Sequence, residues 1–248
     1  MKTALQIYSL RDALGADEIR NTLSRVRAMG YDGVEWFGLL GYSAAQIAEM
    51  TTDAGLQMFS LHVDYNIAAA ADRAFLRDAA AVGVKYLPIG WLPENRLAGG
   101  ADFEETCAVI RSYAALAKEY GMYVLYHNHD FDLALHNGTP KLDLLFDAIP
   151  ADLFGAEPDT CWLYSGHVDP VAYLKKYADR APVIHLKDCV AEGGRAGFRP
   201  LGMGVLNFAD ILGACQSADW ICVEQDDPIP GMDAFACAKA SAKFLGLH

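Results

Sequence analysis

Ala181-Pro-Val-Ile-His-Leu-Lys-Asp188 is the stretch whose reading decides the fold. An apolar run leads into a histidine and a lysine two residues apart, and a glycine-rich segment follows. Successive side chains of an extended strand point to opposite faces. His185 and Lys187 therefore share one face, and Ile184 and Leu186 the other. A strand with an imidazole and an amine on one side faces a site. The pattern recurs at His127 with His129, Glu157 with Asp159 and Glu224 with Asp226. One such pair reads equally well as satisfied polar packing; a series of them points to one shared site.

Working outward, strand signals alternate with helical ones along the chain. The expected strands are Ala4–Ser9, Gly33–Phe37, Gln57–Val63, Tyr86–Gly90, Tyr123–His129, Phe154–Pro158, Val183–Lys187 and Ile221–Gln225. Most are short apolar runs, as in a parallel sheet covered on both faces. Ile19, Leu23 and Val26 recur at helical spacing, as do Phe103, Cys107, Ile110, Ala114 and Ala117. Gly30, Gly55, Gly83 and Gly121 each stand between a helical pattern and the next strand, where a left-handed cap ends a helix. Eight strands with intervening helices in 248 residues predict a single-domain (β/α)₈ TIM barrel over residues 1–248. Such a barrel carries its chemistry at the C-terminal strand ends.

Composition narrows the function. With a formal net charge of −12, the chain lacks the basic face that nucleic-acid binding needs. No apolar run is long enough to span a membrane, and the N-terminal stretch reads as a strand rather than a signal peptide. The six cysteines contain no Cys-x-x-Cys pair and read as reduced thiols. The expectation is a cytoplasmic protein whose small-molecule partner is neutral or reaches a locally positive pocket, with a homo-oligomer left open.

The strand ends supply the candidate residues. Asp159, His185 and Glu224 form a mixed nitrogen and oxygen ligand set suited to one divalent metal ion, Mn²⁺, Zn²⁺, Co²⁺ or Mg²⁺. The alternative for Asp159 is a cap on the turn that follows it. His127 and His129 could be ligands, bases or partners of a sugar hydroxyl, while Asn128 reads as structural. Glu35 and His62 divide between substrate contact and polar packing. Trp91 and other rim aromatics suit stacking on a pyranose, though barrel–helix packing uses the same residues. Arg195 and Arg199, in the glycine-rich segment after strand seven, could hold an anion or be solvated.

Tyr126-His-Asn-His-Asp-Phe131, Asp159-Thr-x-Trp162, His185-Leu-Lys-Asp188, Gly202-x-Gly204 and Val223-Glu-Gln-Asp226 together resemble the xylose isomerase-like TIM-barrel superfamily of sugar phosphate isomerases and epimerases. The resemblance covers nearly the whole chain in the family's order. It implies a divalent metal bound by Glu, Asp, His and Glu from strands five to eight. Asp159, His185 and Glu224 match the last three. Strand five departs, carrying His127 where many members have glutamate, and Met203 and Asn207 stand where relatives often carry acidic residues. The implied activity is isomerisation or epimerisation by proton abstraction next to a carbonyl through an enediolate. Glu224 is then the base, His127 or His129 the second proton carrier, and Glu35, His62, Trp91, Lys187 and Arg199 contact the substrate. A lyase or dehydratase acting on keto-glycosides or cyclitols would use the same first step. A non-catalytic sugar-binding barrel is the remaining alternative. A nuclease-like reading, from a DNA-repair relative in the superfamily, conflicts with the negative charge.

Overall fold

The computed structural model describes residues 1–193 and 197–248, so Arg195 lies outside the described residues. Eight parallel strands form the barrel: β1 Lys2–Gln6, β2 Gly33–Trp36, β3 Gln57–Leu61, β4 Tyr86–Ile89, β5 Tyr123–His127, β6 Phe154–Glu157, β7 Val183–Leu186 and β8 Trp220–Val223. Their lateral order is β6-β5-β4-β3-β2-β1-β8-β7, and β6 meets β7 through an isolated bridge between Asp159 and His185. The barrel is thus nearly closed, with helices around it, as expected of a TIM barrel.

The strands form where the apolar runs predict, each stopping one to three residues earlier than expected, while β1 and β8 also begin earlier, at Lys2 and Trp220. Strand β1 stops at Gln6 because the Gln6 side chain accepts the Tyr8 amide and the chain turns into a 3₁₀ segment, Ile7–Ala13. The helices with the two predicted periodicities are Ile19–Ala28 and Phe103–Glu119, and Leu23, Val26, Ile110 and Ala117 on them are fully buried. Gly30, Gly55, Gly83 and Gly121 all adopt positive φ, from 75° to 92°, the conformation that releases a helix into the next strand.

Apolar layers close the barrel's N-terminal end. Ala4, Phe59, Leu125, Val183 and Trp220 pack inside it, with the Phe59 and Trp220 rings stacked at 4.0 Å. Ile184 and Leu186 pack outward into the core beneath the helices. Water and ligand therefore meet the barrel interior from the C-terminal end.

Candidate active site

A cavity of about 480 Å³ opens at that end, bordered by His62, Trp91, His127, His129, Lys187 and Glu224 among others. Backbone register brings these residues together. His127 stands opposite Glu157, Cys222 opposite His185, and Gln6 opposite Glu35, so side chains from neighbouring strands point inward at related heights.

The outer group centres on Lys187. Its ammonium lies 2.7 Å from Glu224 Oε2, 2.9 Å from Asp226 Oδ1 and 3.2 Å from Asp159 Oδ2. Burial works against a charge on Glu224, but Lys187 and His185 hold its carboxyl well below the usual range. Asp159 is pushed up to about 6 by burial, with Lys187 opposing the shift. The two oxygens of Asp159 are placed differently. Oδ1 accepts the Trp162 amide at 2.9 Å, capping the helix Thr160–Ser165. Oδ2 meets Lys187 as an ion pair without hydrogen-bond alignment, and has no hydrogen-bond partner among the described residues. Asn128 is structural as expected, its Oδ1 accepting the Asp159 amide at 3.0 Å.

Atoms of His127, Asp159, His185 and Glu224 lie within 4.8 Å of one another, and this donor set fits a divalent ion. Asp159 Oδ2 fits it too, since a buried carboxylate oxygen without a donor is costly unless something binds there. Burial first, then neighbouring cationic groups, holds His127 well below the ordinary imidazole range and His129 down to about 4. Both rings are therefore neutral at pH 7, able to ligate or to accept a proton. His129 Nδ1 and Trp162 Nε1 are buried beside the cavity without hydrogen-bond partners among the described residues.

An inner group lies beneath. Glu35, fully buried, receives Gln6 Nε2 at 2.9 Å and faces His62 Nε2 at 3.0 Å and His185 Nε2 at 2.6 Å, all at its Oε1. Glu157 Oε2 lies 3.0 Å from His62 Nε2, 3.3 Å from His127 Nδ1 and 3.5 Å from His185 Nε2. Alternation along β6 puts Glu157 on the site face with Asp159, although the sequence reading gives a role to Asp159 alone. Asp226, bonded to Lys187, is likewise visible in the pairing with Glu224. Cys222, with its Sγ 3.9 Å from Glu35, gives no signal inside an apolar strand.

Of the residues expected to touch substrate, His62, Trp91 and Lys187 border the cavity, Trp91 being 55% exposed at the rim. Glu35 lies below the cavity floor. Arg199 sits in a two-residue antiparallel pair, 188–189 with 198–199, and its guanidinium donates to the Phe198 carbonyl at 2.7 Å, away from that cavity. Gly202-x-Gly204 serves the local backbone. Asp188 Oδ2 accepts the amides of Gly202 and Gly204 at 3.0 and 2.8 Å, and a Cβ on Gly204 would fall 2.2 Å from Asp188 Oδ1.

Comparison with known proteins agrees with this architecture. The sequence model of the xylose isomerase-like TIM barrel family matches residues 23–245. The chain is 25% identical over 165 residues to inosose dehydratase 2 of Bacillus cereus, covering 58% of this chain and 54% of that protein. It thus spans about half the length of the curated relatives it matches. A sugar phosphate isomerase/epimerase from Parabacteroides distasonis superposes with a TM-score of 0.80 at 25% identity, covering 98% of this chain and 93% of that one. The IolI protein, solved with a zinc atom bound, shares the fold at 14% identity with a TM-score of 0.75, covering 99% and 96%. Among the described residues no helix is long and apolar enough to cross a membrane.

Proposed function

The chain belongs to the xylose isomerase-like TIM-barrel family, and from that premise we propose that it is a divalent-metal-dependent enzyme of sugars or keto-sugars. Its reaction is removal of a proton from the carbon next to a carbonyl. The observation that carries this reading is the outer group: carboxylates, neutral imidazoles and one ammonium converge at the mouth of a cavity with aromatic walls.

His127, Asp159, His185 and Glu224 would hold the ion. Bound there, it would supply Lewis-acid stabilisation of negative charge developing on a substrate oxygen. The remaining chemistry belongs to the chain. Glu224 is ionised and offers a carboxylate base, and His127 or His129 offers an imidazole for the return of the proton. Lys187 and His62 reach substrate oxygens from the cavity wall, and Trp162 Nε1 and His129 Nδ1 are free for sugar hydroxyls. Trp91 at the rim supplies a stacking face.

A second reading, dehydration or β-elimination, draws on the resemblance to an inosose dehydratase. It uses the same proton abstraction and adds departure of a β-substituent, which leaves as water or alcohol with the abstracted proton.

One experiment tests both. Protein loaded with Mn²⁺ or Zn²⁺ is incubated in D₂O with keto-sugars and an inosose, and the products are followed by NMR. Deuterium at the α carbon marks isomerisation or epimerisation, whereas loss of water or of the β-substituent, with deuterium at the former β carbon after the enol ketonises, marks the dehydratase or lyase. Glu224→Gln should slow exchange by about 10²–10⁴-fold. Turnover by hydride shift without solvent exchange would overturn the mechanism.

A further inference from the structure

Hydrogen bonding accounts for Glu35 in the inner group but not for Glu157. Neither oxygen of Glu157 has a hydrogen-bond partner among the described residues, and neither has His127 Nδ1. His62 Nε2 and His185 Nε2 pair instead with Glu35 Oε1. Two carboxylates and three imidazoles thus converge at one buried point, where both Glu157 oxygens and His127 Nδ1 lack an aligned donor or acceptor among the described residues. Buried polar atoms are normally satisfied, and a cluster of exceptions calls for a missing partner.

The spacing is compatible with a cation as that partner. Glu157 Oε2 stands 3.0, 3.3 and 3.5 Å from His62 Nε2, His127 Nδ1 and His185 Nε2. Ligands bonded at ~2.0–2.2 Å to a tetrahedral ion stand roughly 3.3–3.6 Å apart. His62 borders the cavity but is no ligand of the outer set, and its Nε2 lies 3.0 Å from both Glu35 Oε1 and Glu157 Oε2. Its ring is accommodated because residue 90 is glycine: a Cβ there would lie 2.8 Å from His62 Nδ1.

We propose that His62, His127, Glu157 and His185 form a second cation position, one layer below the outer set, with Glu35 beside it. Three imidazoles and one carboxylate select a borderline transition-metal ion such as Zn²⁺ or Co²⁺ over Mg²⁺. The two positions share His127 and His185. His185 turns Nδ1 toward Glu224 at 3.2 Å and Nε2 toward the inner carboxylates, while His127 turns Nε2 toward Glu224 at 3.9 Å and Nδ1 toward Glu157.

The test separates this position from the one used in the proposed function. Chelator-treated full-length protein is titrated with Co²⁺, and bound metal and the visible absorption bands are recorded. The double variant Asp159→Asn/Glu224→Gln dismantles the outer set and should still take up one ion per chain, with the bands of a four- or five-coordinate centre. Adding Glu157→Gln or His62→Gln, near in size to the originals, should weaken that uptake by more than about 100-fold, beyond the 10–100-fold typical of a group that only supports a ligand. Thermal melts without metal check that each variant folds. If the Asp159/Glu224 double variant binds no Co²⁺ while the unaltered protein does, the inner position does not exist. Unchanged uptake after Glu157→Gln and His62→Gln in that double-variant background would overturn the proposal equally. The proton-exchange activity enters neither readout, so the two readings can fail independently.

Discussion

Lys187 Nζ lies 2.7 Å from Glu224 Oε2, so the candidate base and a buried ammonium form an ion pair between neighbouring strands at the barrel mouth. With Asp159 and Asp226 also within 3.2 Å, one cation serves three carboxylates. Lys187→Met removes the positive charge and leaves the others uncompensated. The expected cost is about 3–5 kcal/mol, as for breaking a buried pair by deleting one partner. Urea denaturation of the chelator-treated protein measures it, and saturating Zn²⁺ should recover part of the loss.

The inner group makes stability depend on pH. Burial would depress the His62 pKa, but Glu35 and Glu157 raise it to about 10, against about 6.5 unfolded. Burial, and then Glu35, raises Glu157 to about 8, against about 4.3 unfolded. In both cases the folded state holds the proton that the unfolded chain releases, so stability falls as pH rises through the interval. The His62 contribution is fully present below about 6.5 and is lost as pH rises through about 10. Urea midpoints of metal-free protein should therefore decline across that window, and His62→Gln should flatten the decline.

Gly204→Ala tests whether the glycine pair serves the loop or an anion. Its Cβ would meet Asp188 Oδ1 at 2.2 Å and the Cys189 carbonyl at 2.3 Å. Overpacking of this kind costs about 1–3 kcal/mol, so the thermal midpoint should drop without any phosphate present. An unchanged midpoint would mean that the loop moves aside freely.

Trp91→Ala should act on the substrate rather than on the fold. The ring is more than half exposed at the cavity rim, so stability should move by less than about 0.5 kcal/mol. Loss of a stacking face is expected to raise KM roughly tenfold with little change in kcat. A fall in kcat with KM unchanged would place Trp91 in the chemistry instead.

The barrel was legible because strands buried on both faces must be apolar runs, and because Gly30, Gly55, Gly83 and Gly121 mark helix ends by a backbone conformation that few other residues adopt. The outer group was legible for a related reason: ionisable residues at the ends of apolar strands are costly to bury unless charge or ligand compensates them. Depth was not legible. Alternation says that Glu157 and Asp159 share a face, not that one descends beside Glu35 while the other meets Lys187. That difference arises from strand tilt and from pairings such as His127 with Glu157, which join distant parts of the chain. For the same reason Glu35 reads from sequence as a substrate contact, although it lies among Gln6, His62 and His185 below the cavity.

The bridge between Asp159 and His185 carries a consequence for the barrel as a mechanical object. At that seam the backbone is held by an isolated β-bridge, by the His185 amide on the Pro158 carbonyl at 2.9 Å and by the Ala156 amide on the Arg180 carbonyl at 2.8 Å. Both residues of the bridge also offer side chains to the outer ligand set. A cation gripped by the two side chains would be a staple across the seam, so loading the site would add its binding free energy to the closed form. Amide hydrogen exchange at Ala156 and His185 would then slow when the ion enters and quicken again when it leaves.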